Sequence, residues 1–168
     1  EMWEDEANAC PDCIVYRVSG GDNYTGSAIS SIFKGESMAD VMKFLHYDVS
    51  AVGNHEFDFG STAFFSNRKT SGVKYISTNL LSVNLKPVFP GSVVIERDDI
   101  KMGFVGVTTE ELKQISYSEF FRKVNVVQSV NSVEREIRKI QDDVDAYVVI
   151  AHQSFENSKR WFMPLDEK

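Results

Sequence analysis

Apolar and polar positions along this chain fall into blocks that alternate between the two-residue period of strands and the 3.6-residue period of helices. Cys13-Ile14-Val15-Tyr16 runs through Arg17-Val18-Ser19 as a first strand, and Asp48-Val49-Ser50-Ala51-Val52 forms a short second one. Between them residues 28–33 open a helix, and after Lys34-Gly35 the apolar Met38, Val41, Met42 and Leu45 recur at i, i+3, i+4 and i+7 as a second helix. Both helices are expected to pack on a sheet. Residues 93–107 hold two β-rich runs around Asp98-Asp99, the pattern of a hairpin that would bring in the edge of a second sheet. Val130, Val133, Ile137 and Ile140 mark one face of a further helix, whose Glu134, Arg135, Glu136 and Arg138 read as a solvated surface. That helix feeds the strand Ala146-Tyr147-Val148-Val149-Ile150-Ala151, which ends in His152. Strands alternating with helices predict an α/β fold.

Composition narrows the picture only a little. At 168 residues one domain is the natural count. The net charge of −7 argues against a nucleic-acid polymer as partner, since such binders carry basic patches. A small anionic substrate is compatible, because bound cations set the local field in such sites. No apolar run approaches the length of a membrane span, and the acidic start is unlike a signal peptide. The first six residues and the tail after Ser158 are expected to be mobile. Cys10 and Cys13 form a Cys-Pro-Asp-Cys with no second pair to complete a four-ligand zinc site, so they read as incidental or externally paired thiols. His46, near the end of the second helix, reads as an ordinary surface histidine.

The candidate chemistry sits where strands end. Gly53-Asn54-His55-Glu56-Phe57-Asp58-Phe59-Gly60 follows the second strand, so Asn54, His55 and Asp58 should emerge at a carboxyl strand end, where open α/β sheets place their ligands. The His-x-x-Asp spacing lets Asp58 reach one nitrogen of His55 and fix its tautomer, leaving the other nitrogen for a substrate. Upstream, the first strand ends in Gly20-Gly21-Asp22, with glycines that permit close approach of the backbone to a ligand. Three strands thus end in Asp22, Asn54 and His152. Oxygen and imidazole donors gathered at neighbouring strand ends suit a hard or borderline divalent ion such as Mn, Zn, Fe or Mg.

Five blocks then occur in a telling order: Gly21-Asp22-x-x-x-Gly26-Ser27, the octapeptide from Gly53 to Gly60, Ile76-Ser77-Thr78-Asn79-Leu80, Gly106-Val107-Thr108-Thr109 and Ile150-Ala151-His152. Together they resemble the 5'-nucleotidase family of calcineurin-like metallophosphoesterases, over residues 14–153. The resemblance implies part of a four-layer α-β-β-α sandwich, with residues 1–168 as an N-terminal catalytic domain incomplete at both ends. It implies metal-dependent hydrolysis of phosphate esters, nucleotides first, by two divalent cations (Zn, Mn, Co, Fe or Mg) about 3.5–4 Å apart. Asp22 would bridge the two ions, Asn54 and His152 would bind the second, His55 would act on the phosphoryl group without binding metal, and Asp58 would be its dyad partner.

Two elements of the family pattern are missing: an Asp-x-His before the Gly-Asp block, where Glu4, Asp5 and Glu6 stand without a histidine, and a Gly-His-x-His after His152. The chain is therefore expected to hold at most one ion and to lack the separate C-terminal domain that grips the nucleobase. The loops 23–27 and 56–61 are expected to be mobile without the metals. The rival expectation is an inactive fragment or homologue serving as a binding or surface module. Family members are often exported, which favours an extracellular or cell-surface location.

Overall fold

The structure is a computed structural model that describes Cys10 and residues 13–154. The acidic start and the tail after Ser158, both expected to be mobile, lie outside the described residues, as do Glu4, Asp5 and Glu6. The first sheet is parallel, in the order β1 (Val18–Ser19), β2 (Val49–Ala51), β3 (Lys74–Ile76). A two-stranded antiparallel pair joins β4 (Leu80–Ser82) to β7 (Val124–Val126). The second large sheet runs β5 (Ser92–Arg97), β6 (Ile100–Thr108), β8 (Ala146–His152), antiparallel and then parallel. The helices are α1 (Ala28–Ile32), α2 (Glu36–Phe44), α3 (Gly60–Ser71), α4 (Leu112–Ile115), α5 (Glu119–Arg122) and α6 (Ser129–Ile140).

Three apolar clusters divide these elements into layers. Side chains alternate across a strand, so successive residues serve different cores. In β6 Met102 and Phe104 point towards the first sheet, while Val105 and Val107 point away from it. The inner cluster packs Val49, Ala51 and Ile76 of the first sheet against Phe104 and Ile150 of the second. On the far side Val105, Val107, Val149 and Ala151 meet Val133, Ile137 and Ile140 of α6. On the near side Tyr75 packs with Ala39 and Met42 of α2, with Phe64 of α3 and with the loop residues Tyr24 and Phe57. Helix, sheet, sheet and helix follow in that order, the α/β sandwich expected from the sequence. Gly106 lets the sheets touch: a Cβ there would lie 2.3 Å from the Ile76 carbonyl oxygen.

The hairpin forms as its Asp-Asp turn predicts. Asp98 and Asp99 both take left-handed backbone (φ 49° and 64°), the two-residue geometry that matches strand twist, and β5 is the sheet edge. Arg97 at that turn ties the two sheets together, bonding the Val15 carbonyl and the Asp48 carboxylate and lying over the Tyr16 ring.

Several expectations need correction. The first strand shrinks to Val18–Ser19, because only β2 pairs with it and only over those two residues. In α2 Met38 and Met42 reach the core, but Val41 and, just past the helix end, Leu45 are 44% and 42% exposed. In α1 only Ser30 is buried, while Ile29 and Ile32 stand exposed, so this helix does not lay an apolar face on a sheet. Glu136 is not a solvated charge: its side chain is 13% exposed, accepts from the Ser92 hydroxyl at 2.8 Å and pairs with Lys139. Cys10 and Cys13 are neither free nor externally paired, since they form a disulfide with each other. His46 is exposed in the turn after α2, as an ordinary surface histidine would be.

Candidate active site

The carboxyl ends of β1, β2 and β8 converge, as three strand ends carrying Asp22, Asn54 and His152 require. Gly21 (φ 99°) and Asp22 (φ 61°) turn the chain sharply after β1. At Gly21 a Cβ would lie 2.8 Å from the Gly53 nitrogen, so the two loops can meet only without a side chain there. Gly53 is equally constrained, because its Cβ would fall 2.1 Å from Asp22 Oδ1. This contact brings the Asp22 carboxylate onto the loop after β2, where Oδ1 accepts from the His55 amide at 2.8 Å. Asp22 Oδ2 faces His152 Nε2 at 3.3 Å, and Asn54 Oδ1 lies 2.9 Å from the same nitrogen.

The orientation of His152 is fixed from behind. Its Nδ1 lies 2.8 Å from the Gly20 carbonyl, which can only accept, so Nδ1 carries a hydrogen. A neutral ring would then aim the Nε2 lone pair at two oxygens, one of them a carboxylate. That arrangement is favourable only if something positive lies between them, either a second proton or a metal ion. Consistent with the proton, the hydrogen bond to Asp22 pulls the His152 imidazole above its usual pKa, against desolvation. Burial pushes the Asp22 carboxyl up, but its bonds to His152 and the His55 amide outweigh this and hold it below the usual carboxylate value.

The same three donors fit a divalent cation. Two oxygens and one imidazole nitrogen, 2.9 and 3.3 Å apart, have the spacing of neighbouring ligands around an ion with bonds of about 2.0–2.2 Å. They are a mixed set with one amide, and among the described residues no three His, Cys, Asp or Glu side chains group as a metal site. The described residues therefore offer donors for one ion.

His55 and Asp58 stand beside this cluster. His55 Nδ1 is 2.6 Å from Asp58 Oδ2, so a carboxylate that only accepts places the hydrogen on Nδ1 and leaves Nε2 open. The His55 side chain is 47% exposed and available to a ligand. The one-turn spacing read from the sequence is thus realised.

Sequence reasoning missed Glu56, which is the best-connected side chain of the site. It is 2% exposed, and its two oxygens accept from the backbone amides of Gly53 (2.6 Å), Asp22 (2.9 Å) and Asn23 (2.8 Å). Burial pushes its carboxyl pKa up, against the pull of those three N–H groups. Asn23 extends the network, donating to Ser50 Oγ at 2.8 Å and to the Tyr75 hydroxyl at 3.0 Å. Asn79, legible in the sequence only as part of a block, is fully buried and clamps both backbone groups of Thr108, the β6 residue in register with His152. The one available signal was a charged or amide residue inside an otherwise apolar or glycine-rich motif.

No family model matches the chain. It is 31% identical over 138 residues to an apyrase of Tabanus yao, covering 80% of this chain and 25% of the apyrase. It is 28% identical over 138 residues to Protein UshA of Salmonella pullorum, covering 82% of this chain and 25% of UshA. The 5'-nucleotidase precursor of Thermus thermophilus shares its fold, with a TM-score of 0.80 over 93% of this chain and 31% of that one, at 23% identity. The chain belongs to the 5'-nucleotidase family of metallophosphoesterases. It spans about a quarter of the length of the curated relatives it matches. The α/β sandwich formed by residues 13–154 is the fold shared with solved metallophosphoesterases.

Proposed function

We propose that residues 1–168 are part of the catalytic domain of a metal-dependent phosphoesterase that hydrolyses nucleotides, nucleoside monophosphates first. The observation that carries this reading is His152 Nε2, held from behind by Gly20 and aimed at both Asp22 Oδ2 and Asn54 Oδ1. Asp22, Asn54 and His152 would hold one divalent cation, Zn, Mn, Co, Fe or Mg, with Asp22 placed to bridge to a second. When bound, such a cation activates water and neutralises charge on phosphoryl oxygens.

The chain's own residues supply the rest. Asp58 holds the His55 ring in one tautomer, so Nε2 presents either a lone pair or, once protonated, an N–H to a phosphoryl or leaving oxygen. The Asp22–His55 amide bond fixes the distance between the cation donors and the dyad. An exposed His55 whose Nε2 is left open beside the oxygen and imidazole donors of Asp22, Asn54 and His152 supports the enzyme reading over its rival.

The test is phosphate release from a nucleoside monophosphate with added Mn, Zn, Co or Mg, run beside metal analysis of the protein. Asp22→Asn should lower both bound cation and turnover, because it removes the charge that faces His152. Unchanged cation content in Asp22→Asn would overturn the assignment of the metal site.

A further inference from the structure

Four donors converge on one buried carboxylate beneath the site, and the described residues give Glu56 no cationic partner to explain its burial. Oε2 takes the Gly53 and Asp22 amides, and Oε1 takes the Asn23 amide and, at 3.3 Å, its side-chain Nδ2. Burying a carboxylate carries a large desolvation cost, which well-formed hydrogen bonds or a charge partner must offset. Here it is bonded entirely to the two loops that carry Asp22 and Asn54. The geometry points to Glu56 as a positioning residue: it staples the β1 loop to the β2 loop, and so aims the Asp22 carboxylate at His152 Nε2 and at the His55 amide.

Each link has a structural reason. The Asp22 backbone is left-handed (φ 61°), a conformation uncommon outside glycine although Asp enters it more readily than most, so bonds to its flanking amides help to hold it. The amides on either side of the Asp22 peptide unit, those of Asp22 and Asn23, are the ones Glu56 grips. The third amide, of Gly53, belongs to the residue whose Cα lies under Asp22 Oδ1. Glutamine cannot replace the carboxylate, since its NH2 group would face either two N–H donors or an N–H and the Asn23 amide. Aspartate keeps the charge but is one methylene short of reaching all three amides. The role is distinct from ligating the cation, because both Glu56 oxygens are already taken by N–H groups.

The part of this inference that concerns the cation rests on the function proposed above, so the experiment has one readout that needs no cation. Without metal, Glu56→Gln should make the His55 amide, which bonds Asp22 Oδ1, exchange at least about tenfold faster. The amides of Phe104 and Val105 in the second sheet should be unaffected. With manganese(II) as the probe, both Glu56→Gln and Glu56→Asp should weaken binding by about 10–100-fold, the usual effect of losing an outer-shell partner. In an Asp22→Asn background Glu56→Gln should cost no further affinity. Recovery of wild-type affinity in Glu56→Asp would show that charge alone matters and would overturn the positioning role. So would an unchanged His55 amide in Glu56→Gln. If Glu56→Gln does not fold, the wild-type Asp22, Asn23 and Gly53 amides decide: exchange at unfolded-chain rates overturns the inference, and strong protection supports it. If the wild type binds no manganese, the proposed function fails while the His55 amide still judges Glu56.

Discussion

Replacing Asn79 by leucine should be among the most damaging single changes in this chain, and the size of the loss can be worked from its bonds. Asn79 is fully buried; its Oδ1 accepts from the Thr108 amide at 2.9 Å, and its Nδ2 donates to the Thr108 carbonyl at 2.7 Å. Leucine has the same branched skeleton with two bulkier methyl groups in place of the oxygen and NH2, so the change leaves no cavity and any crowding adds to the polar loss. Two buried backbone groups lose their partner, at about 1–3 kcal/mol each, or roughly 2–6 kcal/mol together. The Ser77 hydroxyl, which also bonds Asn79, retains Thr108 Oγ1 at 2.9 Å and adds little. With a urea m-value of about 2 kcal/mol per molar, the unfolding midpoint should fall by about 1–3 M, a large share of a native domain's stability of about 5–15 kcal/mol. Asn79→Asp keeps the acceptor for the Thr108 amide but sets a carboxylate against the Thr108 carbonyl, so it should not rescue. The exposed Asn131, changed to leucine, should stay within about 0.5 kcal/mol of wild type. A midpoint for Asn79→Leu within about 0.25 M of wild type, equivalent to the same 0.5 kcal/mol, would refute the reasoning and show that water or a shifted backbone satisfies Thr108.

At Gly106 an added methyl would meet the Ile76 carbonyl oxygen at 2.3 Å and its carbonyl carbon at 2.7 Å, backbone that cannot swing aside. Gly106→Ala should therefore part the two sheets and cost at least about 1–3 kcal/mol, read as a lower melting temperature than Gly20→Ala, where a Cβ meets nothing. In the active enzyme His55→Ala should lower kcat for nucleotide hydrolysis by about 10²–10⁴-fold with cation content unchanged, and Asp58→Asn should do less harm. Steady-state kinetics beside metal analysis checks this, and loss of metal on changing His55 would place that residue among the cation's ligands.

The geometry of the candidate site was legible because it is written in short motifs whose spacing is local. His-x-x-Asp puts Asp58 one turn from His55 whatever the rest of the fold does, and the observed 2.6 Å bond needs only that turn. The alternating runs of β6 and β8 likewise carry their own face assignment, one side for each neighbouring layer. What periodicity could not tell was which helix face finds a partner. Met42 and Val41 are neighbours with equal apolar character, yet only Met42 reaches the core, since the contact depends on where α3 lies. Glu136 escapes the pattern for the same reason: it lies on the charged face of α6, but Gly91 leaves room above it and Ser92 a hydroxyl to bind. The Cys10–Cys13 disulfide eludes a count that looks for a second pair instead of pairing within the motif.

The expectation that loops 23–27 and 56–61 are mobile without metals bears on the site itself. It assumes that cations alone would justify Asp22 at a strand end, as though the loops had no other anchor. They are instead fastened from below. Tyr24 is 1% exposed in the near-side core, and Phe57, also 1% exposed, is stacked on Phe120 with ring centres 3.8 Å apart. Burying such aromatic side chains contributes about 1.5–3 kcal/mol each, enough to hold a loop without a ligand. Glu56 sits between these two anchors and bonds the backbone of both loops. Asp22, Asn54 and His55 are therefore held by packing and hydrogen bonds that do not involve a cation. A site built this way would be formed before the proposed ion arrives, so binding energy would not be spent on ordering the loops.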